Sequence, residues 1–154
     1  MTLEERLNAD LKEAMRAGDT ARKMAIRSVK TAITEAKVAG EQARELTDED
    51  VLSIIIKLAR QRRDSIAEFA RGGRADLVAK EEADLTVLET YLPRQLDEAA
   101  IRKRAQAVIA ELGGVDLKGI GPVMRQLTSE LRGQADGQAI NRIVRELLAV
   151  AAGR

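Results

Sequence analysis

An all-α fold is the prediction, and three observations carry it. Apolar residues recur at steps of three and four from one end of the chain to the other, and no stretch shows convincing strand alternation. Phe69 and Tyr91 are the only aromatics, so Leu, Ile, Val, Ala and Met must fill the core, and Leu and Ala are strong helix formers. Gly and Pro mark the ends of the periodic segments. These breakers predict a four-helix N-terminal domain over residues 1–92, followed by a small three-helix C-terminal domain over 93–154.

Thr2, with Glu5 three residues on, has the spacing of a capping box. It opens a first helix whose apolar stripe is Leu3, Leu7, Leu11 and Ala14, ended by Gly18. Asp19 or Thr20 starts the second, where Ala25, Val29, Ala32 and Ala36 recur with Ile26 and Ile33 beside them, and Gly40 stops it. The short link predicts an antiparallel hairpin. After a polar loop over 40–46, Thr47-Asp48-Glu49-Asp50 begins a long third helix, its acids placed where the helix dipole favours them. This helix runs to about Ala70, with Leu52, Ile55, Ala59, Ile66 and Phe69 or Ala70 inward.

Gly72-Gly73 breaks the pattern, and a fourth helix is predicted from Ala75 to Leu92 with Val78, Leu85, Leu88 and Leu92 on one side. Pro93 ends it, because proline disfavours helical geometry in the residue before it. Asp97 caps a fifth helix with the stripe Ile101, Ala105, Val108, Ile109, Leu112, stopped by Gly113-Gly114. Gly121 and Pro122 fit the N-cap and first position of a sixth, which uses Ile120, Met124, Leu127 and Leu131 and has Gly133 as its C-terminal glycine. Asp136 caps a seventh, lined by Ile140, Ile143, Val144, Leu147, Leu148 and Ala151.

Composition narrows the chemistry. There is no Cys and no His, which excludes disulfides and thiol catalysis and argues against zinc and most transition-metal sites; no metal and no cofactor is expected. No apolar run approaches the roughly 20 residues that span a bilayer, and the charged start, Met1-Thr2-Leu3-Glu4-Glu5-Arg6, has no signal-peptide core; the cytoplasm is the expected location. The net charge of +1 is unevenly spread, with 16 Lys/Arg against 18 Asp/Glu before residue 93 and 10 against 7 from there on. That mild excess in the tail falls far short of a dedicated DNA binder, so DNA is not an expected partner.

Motifs for nucleotide hydrolysis are absent, and Gly119-Ile120-Gly121 follows no strand, so it reads as a helix start, with a weak anion site beside Lys118 as the sharper alternative. Ser28, Ser53, Ser65 and Ser129 all fall inside helices without a histidine base, and they read as surface residues. Glu81-Glu82 and Asp48-Glu49-Asp50 read as solvated faces or helix-start clusters rather than acid/base pairs, so no catalytic residue is assigned. Lys57, Arg60, Arg62 and Arg63 form the densest cationic stretch. Arg62 projects near the apolar stripe, and Glu81, Glu82 or Glu89 is the expected carboxylate for it, RNA or partner contact being the alternative. In the tail, Arg125 and Arg132 are seven apart on a predicted helix face, and Arg142 and Arg145 are three apart on the next helix. Phosphate contact needs several such cations on one surface, and without interleaved aromatics base stacking is not expected.

Four stretches carry a resemblance: Leu7–Met15; Arg62–Phe69 with Gly73–Leu77; the hexapeptide Tyr91-Leu92-Pro93-Arg94-Gln95-Leu96; and the tail Lys118–Met124 with Leu131–Gly137. Over nearly its full length the chain resembles the GatB/YqeY domain family, and its tail is similar to the C-terminal domain of the B subunit of the tRNA-dependent amidotransferase. The resemblance implies a helical module that contacts tRNA, under a family label of carbon–nitrogen ligase with glutamine as amido-N-donor. It implies tRNA and aminoacyl-tRNA amidotransferase or synthetase components as partners. Gly121, Val123, Met124, Gly133, Ala135, Asp136, Asn141 and Leu148 occupy matching tail positions, most of them as fold determinants. Lys118, Arg125, Arg132, Gln134, Arg142 and Arg145 are the positions assigned here to tRNA. The catalytic portion of that subunit and the amidase signature are both missing. The expectation is therefore an accessory tRNA-binding module that catalyses nothing alone, with a helical protein–protein interaction scaffold as the alternative.

Overall fold

The computed structural model describes residues 1–114 and 119–152. Among the described residues there are seven α-helices and no strand: α1 (Leu3–Ala17), α2 (Thr20–Lys37), α3 (Asp48–Arg71), α4 (Ala75–Glu89), α5 (Glu98–Glu111), α6 (Ile120–Glu130) and α7 (Gly137–Ala152). The chain divides into two compact units, Met1–Leu92 and Pro93–Arg154.

In the first unit the caps set the boundaries. Thr2 and Glu5 form a reciprocal capping box on α1, Thr47 and Asp50 form one on α3, and the Asp19 carboxylate accepts from the Arg22 N–H at 3.1 Å to open α2. Gly18 takes φ +66, which lets the Asp19 N–H return to the Ala14 carbonyl at 2.9 Å and turns the chain directly into α2. The core joins Leu7, Ile26, Val29, Ile33, Val51, Ile55, Ala59, Leu88 and Tyr91.

Three details differ from the periodicity reading. In α2 the buried positions are Ala25, Ile26, Val29 and Ile33, so the isoleucines face inward while Ala32 and Ala36 are only half-buried. The branched aliphatics remove more apolar area from water than alanine does. In α3 Val51 rather than Leu52 is buried, and burial fades after Ala59. α4 ends at Glu89, three residues before the expected Leu92, because Tyr91 is drawn into the core and to Asp10.

The second unit has its own core of Ile101, Ala105, Val108, Val123, Leu127, Leu131, Ile140, Ile143, Val144 and Leu148. Asp97 caps α5, accepting from the Ala100 N–H at 2.8 Å. α6 starts two residues earlier than Gly121-Pro122 predicts: Gly119 is the N-cap, and Pro122 falls at the third helical position, where its missing N–H has no intrahelical partner to lose. Gly133, at φ +77, sits in the turn between α6 and α7. A side chain there would be strained in the left-handed region.

Candidate functional site

The tail cations separate into groups once their partners are placed. Arg142 on α7 donates to Glu98 at 3.1 Å and to Glu146 at 3.2 Å. Arg102 on α5 reaches the same two carboxylates, at 3.4 Å and 2.8 Å. Two arginines and two glutamates thus close a ring between α5 and α7. Hydrogen bonding from Arg142 lowers the Glu98 pKa, and hydrogen bonding from Arg102 lowers that of Glu146. A second network joins α5 to α6. Arg104 grips Glu130 with two bonds, 2.6 Å and 2.8 Å, and reaches Glu111 at 3.4 Å. Gln126 donates to both glutamates. Arg104, then Gln126, bring the Glu130 carboxyl down to about 2.

The remaining predicted contacts lie differently. Arg125 is exposed on α6 and makes no ion pair among the described residues; a Cβ built on Gly121 would stand 3.6 Å from its guanidinium. Arg132 is exposed, but it lies beyond the end of α6 in the turn, so it does not continue the helix face that carries Arg125. Arg145 is exposed and donates to the neutral Asn141 side chain at 2.8 Å. Gln134 is engaged through its backbone: its N–H donates to Leu131, and its carbonyl accepts from Leu96, each at 2.8 Å. Lys118 lies outside the described residues.

The hexapeptide has a structural role that its composition alone did not announce. The Tyr91 hydroxyl donates to Asp10 at 2.5 Å, and the Arg6 guanidinium lies 4.6 Å from the Tyr91 ring centroid. Burial, reinforced by Asp10, pushes the Tyr91 pKa up. Within the second unit, the Gln95 side chain donates to the Gly133 carbonyl at 2.5 Å, next to the Leu96–Gln134 backbone bond.

In the first unit Arg62 finds its carboxylates on α4. Its Nε donates to Asp84 and stands 3.6 Å from Glu81. Of the three acids expected for it, Glu81 is one; Glu89 instead pairs with Arg63 at 3.6 Å, and Asp84 was not among them. A signal for Asp84 existed: Arg62 and Asp84 each stand eleven residues from Gly73, and positions equidistant from a tight turn face each other across an antiparallel helix pair. Ser28 and Ser53 each donate back to the carbonyl four residues earlier, at 3.2 Å and 3.0 Å, as helix-surface serines do. Asp48 accepts from the Leu3 N–H at 3.0 Å, so it ties the start of α1 to that of α3. Among the described residues no group of three or more acids is arranged to hold a metal, and no helix is long and apolar enough to cross a membrane.

The family model described as "Yqey-like protein" matches residues 4–148. Three curated relatives share the name "Altered inheritance of mitochondria protein 41, mitochondrial". The Saccharomyces cerevisiae (strain YJM789) protein is 43% identical over 88 residues, which cover 56% of this chain and 46% of that protein. The Kluyveromyces lactis protein is 40% identical over 85 residues, covering 55% and 45%. The Lachancea thermotolerans protein is 34% identical over 108 residues, covering 69% and 57%. The chain spans about half the length of the curated relatives it matches.

Proposed function

From the premise that this chain belongs to the Yqey-like protein family, we propose that it is a non-catalytic accessory module whose Pro93–Arg154 unit contacts tRNA phosphates. The observation that carries this reading is the contrast among the tail arginines. Arg102, Arg104 and Arg142 are each matched by glutamates, whereas Arg125 and Arg145 are exposed and face no carboxylate among the described residues. A guanidinium without a carboxylate keeps its full charge for a phosphate oxygen. Arg132, exposed in the turn, and Lys118 complete the proposed contact set; Arg142 is withdrawn from it by Glu98 and Glu146. Recognition by phosphate and shape is proposed, because the unit holds no aromatic residue on which a base could stack.

The likeness of the tail to that of the glutamine-dependent amidotransferase makes a tRNA-handling complex the proposed setting. The two units are proposed as separate domains, since their cores share no residue. The cytoplasm is the proposed compartment; the word "mitochondrial" belongs to the names of the relatives.

A second reading, a protein–protein interaction scaffold, is favoured by the glutamate pairing itself, which neutralises three of the tail arginines. Binding of the full chain to unfractionated tRNA across a potassium chloride series separates the two. Four phosphate contacts predict that log K falls with log[salt] at a slope of about −3 to −4. Arg125→Glu or Arg145→Glu should flatten that slope, and Arg142→Glu should not. An absent or flat response leaves the scaffold.

A further inference from the structure

Thr20, Met24 and Ser28 recur every four residues on one face of α2, and Glu81 and Asp84, three apart, meet that face from α4. With Arg62 of α3 they bound a groove of about 540 Å³ inside the first unit. Its wall is apolar: Ala21 and Ala83 line it, and Met24 is half exposed there. Its floor is unbalanced. One guanidinium serves two carboxylates, and its Nε is committed to Asp84. Oε2 of Glu81 is buried, stands 3.6 Å from that nitrogen, and has no hydrogen-bond partner among the described residues. A carboxylate is an acceptor only, and a buried acceptor without a donor is a group still in need of one.

We propose that this groove docks a helical segment of a partner protein, which inserts one lysine or arginine beside Glu81 and lays its flanking aliphatic residues on Met24, Ala21 and Ala83. Charge complementarity selects that occupant. An anion would meet two carboxylates around a guanidinium already engaged, and the ammonium of Lys80 stays exposed at the rim. A cation supplies the donor that Glu81 lacks and offsets the second negative charge. Methionine adapts its shape to apolar side chains at docking surfaces, and an amphipathic helix reads such a groove through positions three and four apart. The groove shares no residue with the proposed tRNA contacts, so either reading can fail without the other.

The test pans a phage-displayed library of amphipathic helices against the full chain, then measures a fluorophore-labelled selected peptide by anisotropy. Selected peptides should carry Lys or Arg at one position, with aliphatics three and four residues away. Replacing that cation with norleucine should weaken binding about tenfold, and Glu81→Gln should do the same. Circular dichroism melting of the Glu81→Gln variant checks its fold, and the norleucine peptide tests the contact on the unaltered protein. Peptide-induced amide shifts should centre on Ala21, Met24 and Ala83, and Arg125→Glu should leave peptide affinity unchanged. The proposal is overturned by failure to select any peptide, by selection of an acidic residue at that position, by equal affinity of the norleucine peptide, or by shifts centred elsewhere.

Discussion

Arg62 shows why a cation beside an apolar stripe has to be read through its partners. Its side chain is 24% exposed, and those of Asp84 and Glu81 are 17% and 21% exposed, so the trio lies between a surface ion pair and a buried one. Surface pairs contribute about 0–1 kcal/mol, and breaking a buried pair costs about 3–5 kcal/mol. Arg62→Met should therefore cost about 2 kcal/mol in a urea melt, since it leaves two carboxylates facing each other. Asp84→Asn should cost less, because the guanidinium keeps Glu81. Tyr91→Phe removes the donor to Asp10 and should cost about 1–2 kcal/mol by the same measurement. An equal melt for wild type and Tyr91→Phe would mean that the hydroxyl adds nothing to the seat of the ring. The need of Arg62 for a carboxylate was legible from residue type and stripe position. The choice of Asp84 depended on the register across Gly72-Gly73, which periodicity does not measure.

At the scale of the helix, the ends carry most of what local chemistry decides. The capping box on α1 and the glycine that ends it stand where Thr2-Glu5 and Gly18 placed them, and the box that Thr47 closes with Asp50 falls at the expected start of the third helix. Thr47→Ala should cost about 1 kcal/mol, read as a lowered thermal midpoint. The sixth helix was legible in kind but shifted in register. Two glycines within three residues offer two N-caps, and sequence alone favoured the one followed by proline. The ion pairs that link the helices should make the second unit sensitive to acid. Glu98, Glu130 and Glu146 all have pKa values lowered by arginine or glutamine donors. A carboxylate with a depressed folded pKa stabilises above its unfolded value and loses that contribution as pH falls through the folded one. For Glu130 the window runs from the ordinary value of 4.5 down to about 2. Thermal melts should fall across that window, and Glu130→Gln should make the acid limb shallower. An identical acid limb in the variant would show that the Arg104–Glu130 bonds do not couple to folding.

For the molecule as a whole, the question is whether 62 residues can fold without the other 92. A domain of this size buries only about 60% of the surface its unfolded chain exposes, so stability is expected to be modest. The second unit has a complete core and two inter-helix networks of its own. A fragment of residues 93–154 should give a cooperative thermal transition by circular dichroism, at a lower midpoint than the full chain. A helical fragment that melts without a transition would show that it leans on the rest of the protein. Fold class and helix order were readable because apolar spacing is a one-dimensional signal. The groove and the arginine–glutamate networks were not, since each joins helices whose relative rotation the sequence does not state.

The bonds from Gln95 and Leu96 to Gly133 and Gln134 have a practical consequence for anyone trimming the chain. Helix boundaries suggest starting a short version at Glu98, the first residue of α5. That cut removes the Asp97 cap together with both bonds that steady the bend before α7. Four or five extra residues upstream, with no helix among them, should decide whether the truncated product crystallises or precipitates.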